Sequence, residues 1–142
     1  MSGMTDAAQD GHVHPTESLI KGLVVASESD AGPIVMTNLL RFHDGGGRAA
    51  YMRYSEAVQP HLDRVGATVV YVGNASQTVI GDQDGTWWDT ILLVRYPSRA
   101  RFVEMISDPA YQQISGLRTA ALTDSALIVT EPWDVEMSGD EL

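Results

Sequence analysis

Four short apolar runs that alternate with helical segments constrain the fold of this chain more than any other feature. The runs are rich in β-branched and aromatic residues and are bounded by turn-forming residues, as strands are. They span residues 33–42, 67–81, 86–97 and 124–133. A helical spacing of apolar residues separates the first run from the second and the third from the fourth. The order is therefore strand, helix, strand, strand, helix, strand.

Cap residues predict where the helices begin and end. Thr16 is placed to start a leading helix, while Ser98 and the pair Asp108 and Pro109 start helical segments before the last strand. Gly66 ends the helix between the first two strands. The predicted fold class is α+β, a ferredoxin-like split βαβ with a four-stranded antiparallel sheet and its helices on one face.

Three of the predicted strands are apolar at consecutive positions. The runs VVYV, ILLV and LIV leave no polar side chains for a solvated sheet face, although the helices can cover only one face. Since a large exposed apolar surface is unfavourable, we expect a second copy of the chain to cover the other face. The predicted assembly is a homodimer joined through its sheets.

Charge and composition exclude several classes of function. The net charge is −10 over 142 residues, and most of it lies in residues 1–31 and 131–142, which disfavours binding to nucleic acid. The chain has no cysteine, so it offers neither a thiolate nucleophile nor a cysteine metal site. No apolar stretch is long enough to span a membrane and no signal pattern starts the chain, so we expect a cytoplasmic protein without a membrane partner.

The length fits a single domain with a tail at each end. We expect a disordered tail over 1–15 and one domain over 16–133, of which 16–28 form the leading helix. Residues 134–142 are predicted to be an acidic tail. A tight turn at 82–85 is expected between the second and third strands.

Over residues 33–130 the chain resembles a known family. The resemblance rests on PIVMTNLLRF, AYMRYSEAVQPHLDRVGA, WWDTILLVRYPSRARFVEMISDPAYQ and GLRTAAL. These segments are similar to family 1330 of the domains of unknown function, within the dimeric α+β barrel superfamily. The resemblance implies a ferredoxin-like fold and a homodimer whose sheets pack face to face. Relatives in the superfamily include cofactor-independent monooxygenases, muconolactone isomerases, haem-dependent peroxidases and plain binding proteins, so the chemistry must come from the site itself.

Two polar residues in apolar surroundings are the first candidates for that site. In barrels of this kind the ligand cavity lies between sheet and helices, and strand alternation puts Asn38 on the same face as Met36. If that face meets the helices, the Asn38 amide can donate to a ligand carbonyl or oxyanion. Arg118, which lies among apolar helix positions, can bind a carboxylate or phenolate. The structural alternatives are a packing role for Asn38 and a salt bridge from Arg118 to Asp89 or Asp108.

Aromatic and titratable side chains extend the predicted site. Tyr51, Tyr54 and either His61 or Leu62 fall on the apolar stripe of the helix after the first strand. We predict that Tyr54 and His61 transfer protons and that Tyr51 and Tyr111 bind the substrate. Each of these residues also suits a purely structural role in the core.

The start of the third predicted strand adds two candidates. Trp88 is predicted to bind the substrate by walling the cavity, and Asp89 is predicted to act in catalysis by orienting a base or Arg118. Packing of the indole and a strand-end acid are the structural alternatives.

We predict neither a metal nor a cofactor. His12 and His14 lack a third ligand, and the glycines at 45–47 lack the Lys-Ser/Thr that phosphate-binding loops carry. A haem would require an axial histidine on the inner side of a helix, for which His61 is the candidate.

These expectations combine into one functional prediction with two alternatives. The predicted protein is a homodimer that binds a small apolar or aromatic molecule between sheet and helices. As an enzyme it would be a cofactor-independent isomerase, cyclase or monooxygenase, in which Asn38 and Arg118 stabilise an enolate or phenolate. The alternatives are a ligand carrier without turnover and a protein whose function is dimerisation itself.

Overall fold

The computed structural model describes residues 15–81 and 87–133. Within these ranges helices and strands alternate as the sequence predicts. The elements are α1 (Glu17–Ser29), β1 (Ile34–Phe42), α2 (Gly47–Val65), β2 (Thr68–Asn74), β3 (Thr90–Tyr96), α3 (Arg99–Ser107), α4 (Pro109–Ala121) and β4 (Leu122–Thr130). The predicted α+β class is confirmed.

All four strands belong to one antiparallel sheet in the order β2-β3-β1-β4. The strand β1 lies in the interior of the sheet, paired with β3 on one side and β4 on the other. This order is that of the ferredoxin-like split βαβ. Because both neighbours satisfy its backbone groups, β1 can carry side chains into the middle of both sheet faces.

Side chains of β1 alternate strictly between the two faces. Ile34, Met36, Asn38 and Leu40 are buried on the face that the helices cover. The residues between them, beginning with Val35, are only half-buried. Asn38 therefore lies on the helix-covered face, which is the condition for the predicted site.

The predicted helix ends are confirmed by their caps. The Thr16 and Ser98 hydroxyls and the Asp108 carboxylate each accept a hydrogen bond from a backbone N–H in the first turn of α1, α3 and α4, respectively. Gly66 ends α2 with a left-handed φ of 76°, a conformation that costs glycine little.

The second strand is shorter than predicted. It ends at Asn74 instead of residue 81, and Val79 and Ile80 are almost fully exposed. Because β3 begins only at Thr90, residues 75–81 meet no partner strand in the described part of the chain. Alternating apolar residues without a partner do not form a strand.

The third strand also begins later than predicted. Trp87 and Trp88 precede β3, so neither lies in the strand that the sequence predicts to begin at residue 86. Asp89 forms two hydrogen bonds with the backbone at the end of β1. Its backbone N–H donates to the Leu40 carbonyl at 2.7 Å, and its Oδ2 accepts from the Phe42 N–H at 2.9 Å.

The helix α1 packs against α3 at the side of the helical layer. Arg99 ties it down, because its guanidinium pairs with Asp30 at the end of α1 and with Glu131 after β4, at 3.2 Å in each case. Neither α1 nor any other helix in the described ranges is both long and apolar enough to cross a membrane.

The sheet face opposite the helices is covered by none of the described residues, and its centre is apolar, whereas Arg41 and Arg95 are exposed nearer the strand ends. Leu39, Ile91 and Leu93 are half-buried there, while Tyr71 is 55 % exposed and Ile128 is 49 % exposed. Consecutive apolar positions thus serve both faces, as expected for strands that need burial on both sides.

Some predicted features fall outside the described residues. These are most of the N-terminal tail with His12 and His14, the turn at 82–85, and the acidic tail over 134–142. The division of the chain into one domain and two tails stays a prediction.

The contact between α2, β1 and α4 predicts an effect of a single methyl group. A Cβ at Gly47 would lie 2.6 Å from the Ala121 carbonyl oxygen and 2.9 Å from the Phe42 Cβ. We expect Gly47→Ala to lower the free energy of unfolding by about 1–3 kcal/mol through overpacking. Gly22→Ala, where nothing lies within 4 Å, should raise it by up to about 1 kcal/mol. Urea unfolding measures both, and equal effects would contradict the close packing at Gly47.

Candidate functional site

A cavity of about 690 Å³ lies between the sheet and the helices and is partly open to solvent. Its walls are mostly apolar and come from the inner sheet face and from α2, α3 and α4. Residues on these walls include Met36, Leu40, Leu92, Val58, Leu62 and Phe102. Cavities of this size and character are typical of small-molecule sites.

Arg118 brings a charge into this cavity. It projects from α4 and is 9 % exposed. Its Nη2 donates to the Asn38 Oδ1 at 3.3 Å, and its guanidinium also interacts with the Tyr51 hydroxyl. Asn38, Arg118 and Tyr51, which were predicted as site residues from separate segments, therefore form one cluster, to which β1, α4 and α2 each contribute a side chain.

The Asn38 amide is bonded on both sides. Its Nδ2 donates to the Leu92 carbonyl at 3.3 Å, and its Oδ1 faces Arg118. Since a guanidinium only donates and a carbonyl only accepts, these two partners fix the orientation of the amide. Asn38 thus positions Arg118.

Two tyrosine hydroxyls lie against each other on the cavity wall. The Tyr54 and Tyr111 oxygens are 2.9 Å apart, although the residues come from α2 and α4. Only one hydroxyl hydrogen can lie between the two oxygens, so the pair retains one O–H that can donate elsewhere. A ligand oxygen could accept that hydrogen bond.

The buried tyrosines hold their protons firmly. Burial raises the pKa of Tyr51, Tyr54 and Tyr96 above the ordinary value, and the Arg118 charge opposes this shift only in part. At neutral pH these phenols are hydrogen-bond donors, and they are poorly suited to act as bases.

The charged residues on the cavity wall are both cations. Arg48 and Arg118 line the cavity, and none of the described lining residues is an aspartate, glutamate, lysine or histidine. Sequence reasoning missed Arg48, which follows the glycine turn at the start of α2 and carries no periodic signal. Two arginines on a mostly apolar wall are suited to contact an anionic group.

Three predicted site residues lie outside the cavity wall. His61 packs edge-on against the Tyr111 ring, with a centroid distance of 5.9 Å, and its Nδ1 contacts Arg64. Asp89 bonds to the backbone of β1 as described above, and Trp88 does not line the cavity.

The acids considered as partners of Arg118 are engaged elsewhere. Asp108 pairs with Arg64 at 3.1 Å and caps α4, while the Asp89 carboxylate holds the Phe42 N–H. The structure therefore does not form the alternative salt bridge from Arg118 to Asp89 or Asp108.

A second cavity of about 380 Å³ adjoins the first beneath α1. Leu19, Ile20 and Leu23 of α1 and Leu127 of β4 form its apolar walls. Arg118 borders both cavities, so it lies at their junction. An apolar group attached to a ligand at Arg118 therefore has room on either side.

Fold and site together define a ferredoxin-like α+β protein with an internal cavity whose described lining residues include two arginines. The chain belongs to the DUF1330 family, a domain of unknown function, whose sequence profile matches residues 40–132.

One solved relative shares both fold and sequence. RPA0582 from Rhodopseudomonas palustris, a protein of unknown function, is 35 % identical with a TM-score of 0.76, and the match covers 87 % of this chain and 98 % of that chain. Its methylated form is 36 % identical with a TM-score of 0.78, covering 87 % and 96 %. A search of curated proteins finds no match.

More distant structures share the fold alone. A dimeric ferredoxin-like protein of unknown function from Jannaschia sp. CCS1 is 11 % identical with a TM-score of 0.55, covering 71 % of this chain and 100 % of that chain. Hydroxynitrile lyase from Passiflora edulis is 9 % identical with a TM-score of 0.57, covering 76 % and 100 %.

The buried phenols predict an alkaline loss of stability. An unfolded tyrosine ionises near pH ~10, whereas the raised pKa of Tyr96 keeps the folded phenol protonated above that pH. The folded state therefore binds more protons there, and the free energy of unfolding falls as pH rises above about 10. Tyr96→Phe cannot ionise at this position, so its stability should fall less steeply. Urea unfolding across this pH range measures the slopes, and identical slopes would contradict the prediction.

Proposed function

We propose that the protein is a homodimer that binds a small molecule with an apolar body and a negatively charged or carbonyl oxygen. The oxygen lies at Arg118 and the body lies against the apolar walls between sheet and helices. The observation that carries this proposal is the buried Arg118 guanidinium, held by Asn38 at the junction of two apolar cavities.

The energetic argument starts from the cost of burying a guanidinium. A charge removed from water is unfavourable unless hydrogen bonds and an opposite charge compensate it. Asn38 and Tyr51 are two of its partners, and both are neutral. A carboxylate, enolate or phenolate of a ligand would add an attraction of opposite charge, in surroundings where an ion pair is stronger than in water.

The remaining polar groups support the same ligand class. The hydroxyl pair of Tyr54 and Tyr111 offers a neutral donor on the same wall, and Tyr51 adds an aromatic surface next to Phe42 at a centroid distance of 5.6 Å. Donors that stay protonated suit an acceptor oxygen. The aromatic rings suit a flat or apolar body.

The homodimer follows from the open sheet face. The uncovered apolar face described above is the surface that a second copy would bury, and burial of apolar area is the main driving force of association. A protein of the same fold from Jannaschia is described as dimeric, which supports the proposal.

Catalysis is the second candidate. Arg118 and the phenol pair can stabilise an enolate or phenolate, which is what a cofactor-independent isomerase, cyclase or monooxygenase requires. Among the predicted proton-transfer residues, Tyr54 lies on the cavity wall, whereas His61 lies behind Tyr111. A hydrogen bond donated by Tyr54 or Tyr111 to the developing oxyanion is therefore the contribution that the geometry supports.

Ligand binding is tested at Arg118. We expect isothermal calorimetry to detect binding of at least one phenyl-substituted carboxylate, and its methyl ester to bind more weakly. Arg118→Met should weaken the acid at least about tenfold because a desolvated charge pair is lost. Arg53→Met, at an exposed position that does not line the cavity, is the matched control and should bind as the wild type does. Equal affinity for acid and ester in the wild type would contradict the proposal.

The dimer is tested by a charge on the open face. Leu93 lies on β3 in the middle of that face, opposite Tyr71 and Thr37. Leu93→Glu should convert the dimer to a monomer, since an unpaired carboxylate would be buried in the interface. Val25→Glu places the same charge on an exposed position of α1 and should leave the dimer intact. Light scattering after size exclusion gives the masses, and a monomeric wild type would overturn the proposed assembly.

A further inference from the structure

The second cation of the cavity wall is held in a defined position. Arg48 projects from the first turn of α2, and its Nη1 donates to the Asn74 Oδ1 at 2.8 Å and to the Thr90 Oγ1 at 3.4 Å. Its guanidinium also lies over the Phe42 ring, 4.8 Å from the centroid. Two hydrogen bonds and a cation–π contact together fix this exposed arginine at the cavity wall.

These contacts leave the charge of Arg48 uncompensated. All three partners are neutral, and no carboxylate of residues 15–81 or 87–133 forms an ion pair with Arg48. Both hydrogen bonds use Nη1, so the other edge of the guanidinium can donate to an acid group. Asn74, Thr90 and Phe42 form a neutral cradle that orients the guanidinium without neutralising its charge. Such an arrangement is suited to bind an anionic ligand.

The sheet register places the partners of the two cations in successive rows. Arg48 is bonded to Asn74 and Thr90, which are paired in the row of Leu40, and Arg118 is bonded to Asn38. Asn38 and Leu40 are successive residues on the same face of β1, so the two rows lie roughly 7 Å apart along the strand. Thr90 and Asn74 also lie one and two strands across the sheet from Asn38, so these partners are roughly 8–12 Å from it.

We propose that the ligand carries two acid groups, one bound by Arg118 inside the cavity and the other by Arg48 at its outer part. Its class is a dicarboxylate, or a carboxylate that also carries an enolate or phenolate oxygen, with a short apolar or aromatic linker. This inference rests on the proposed function, because it takes Arg118 as the first anchor. A purely structural Arg48 would instead only connect α2 with the ends of β2 and β3.

Matched acids and half-esters distinguish these roles. The probes are the straight-chain dicarboxylates from succinate to sebacate and terephthalate, each compared with its monomethyl ester by calorimetry. The wild type should bind at least one diacid about three- to tenfold more tightly than its half-ester, the size of one partly exposed charged pair. Arg48→Met should remove this preference and leave the affinity for the half-ester unchanged. Arg48→Lys keeps the charge and should retain a preference.

The calorimetric results distinguish failure of the two-acid ligand from failure of the proposed function. A wild type that binds no diacid more tightly than its half-ester overturns the two-acid ligand, and so does an Arg48→Met protein that keeps the preference. Equal weakening of both probes by Arg48→Met assigns Arg48 a structural role and also overturns it. The proposed function fails separately, when Arg118→Met binds the phenyl carboxylate as tightly as the wild type does.

Discussion

The site depends on a hydrogen bond between the amide of an interior strand and a buried guanidinium. Asn38 occupies a position at the centre of the sheet where an apolar side chain would be more favourable. Burial of Arg118 carries an unfavourable free energy of desolvation. Neither residue contributes to a well-packed apolar core, where hydrophobic residues of similar size would serve stability at least as well. Under the proposed function this pairing prepares the site, because the amide orients the guanidinium before a ligand arrives and so reduces the ordering cost of binding.

The fold places this pair by simple geometry. The period of two along β1 directs Asn38 to the helical side, and the split βαβ order brings α4 over the same part of the sheet. The same alternation leaves a second face with an apolar centre, which is the face that the proposed dimer would bury. Arg99 and its two acids hold α1 beside the cavities, which makes the leading helix part of the site's enclosure.

Sequence reasoning predicted the elements and the two central residues, since both follow from local periodicity. Asn38 was identifiable as a polar residue in a buried strand, and Arg118 as a charge on an apolar helix stripe. On α2 the helical period allowed either His61 or Leu62 to point inward. Leu62 is the buried residue, because burial of an apolar side chain is more favourable than burial of an imidazole. The pairing of Tyr54 with Tyr111 and the cradle of Arg48 depend on contacts between distant segments, which periodicity does not encode.

The most direct test of the account is a high-resolution crystal structure of the protein purified without added ligand. The account predicts density for a small molecule in the cavity, with an oxygen of that molecule within hydrogen-bond distance of the Arg118 guanidinium. A cavity filled by the chain's own side chains, with an Asp or Glu carboxylate of the protein bound to Arg118, would contradict it.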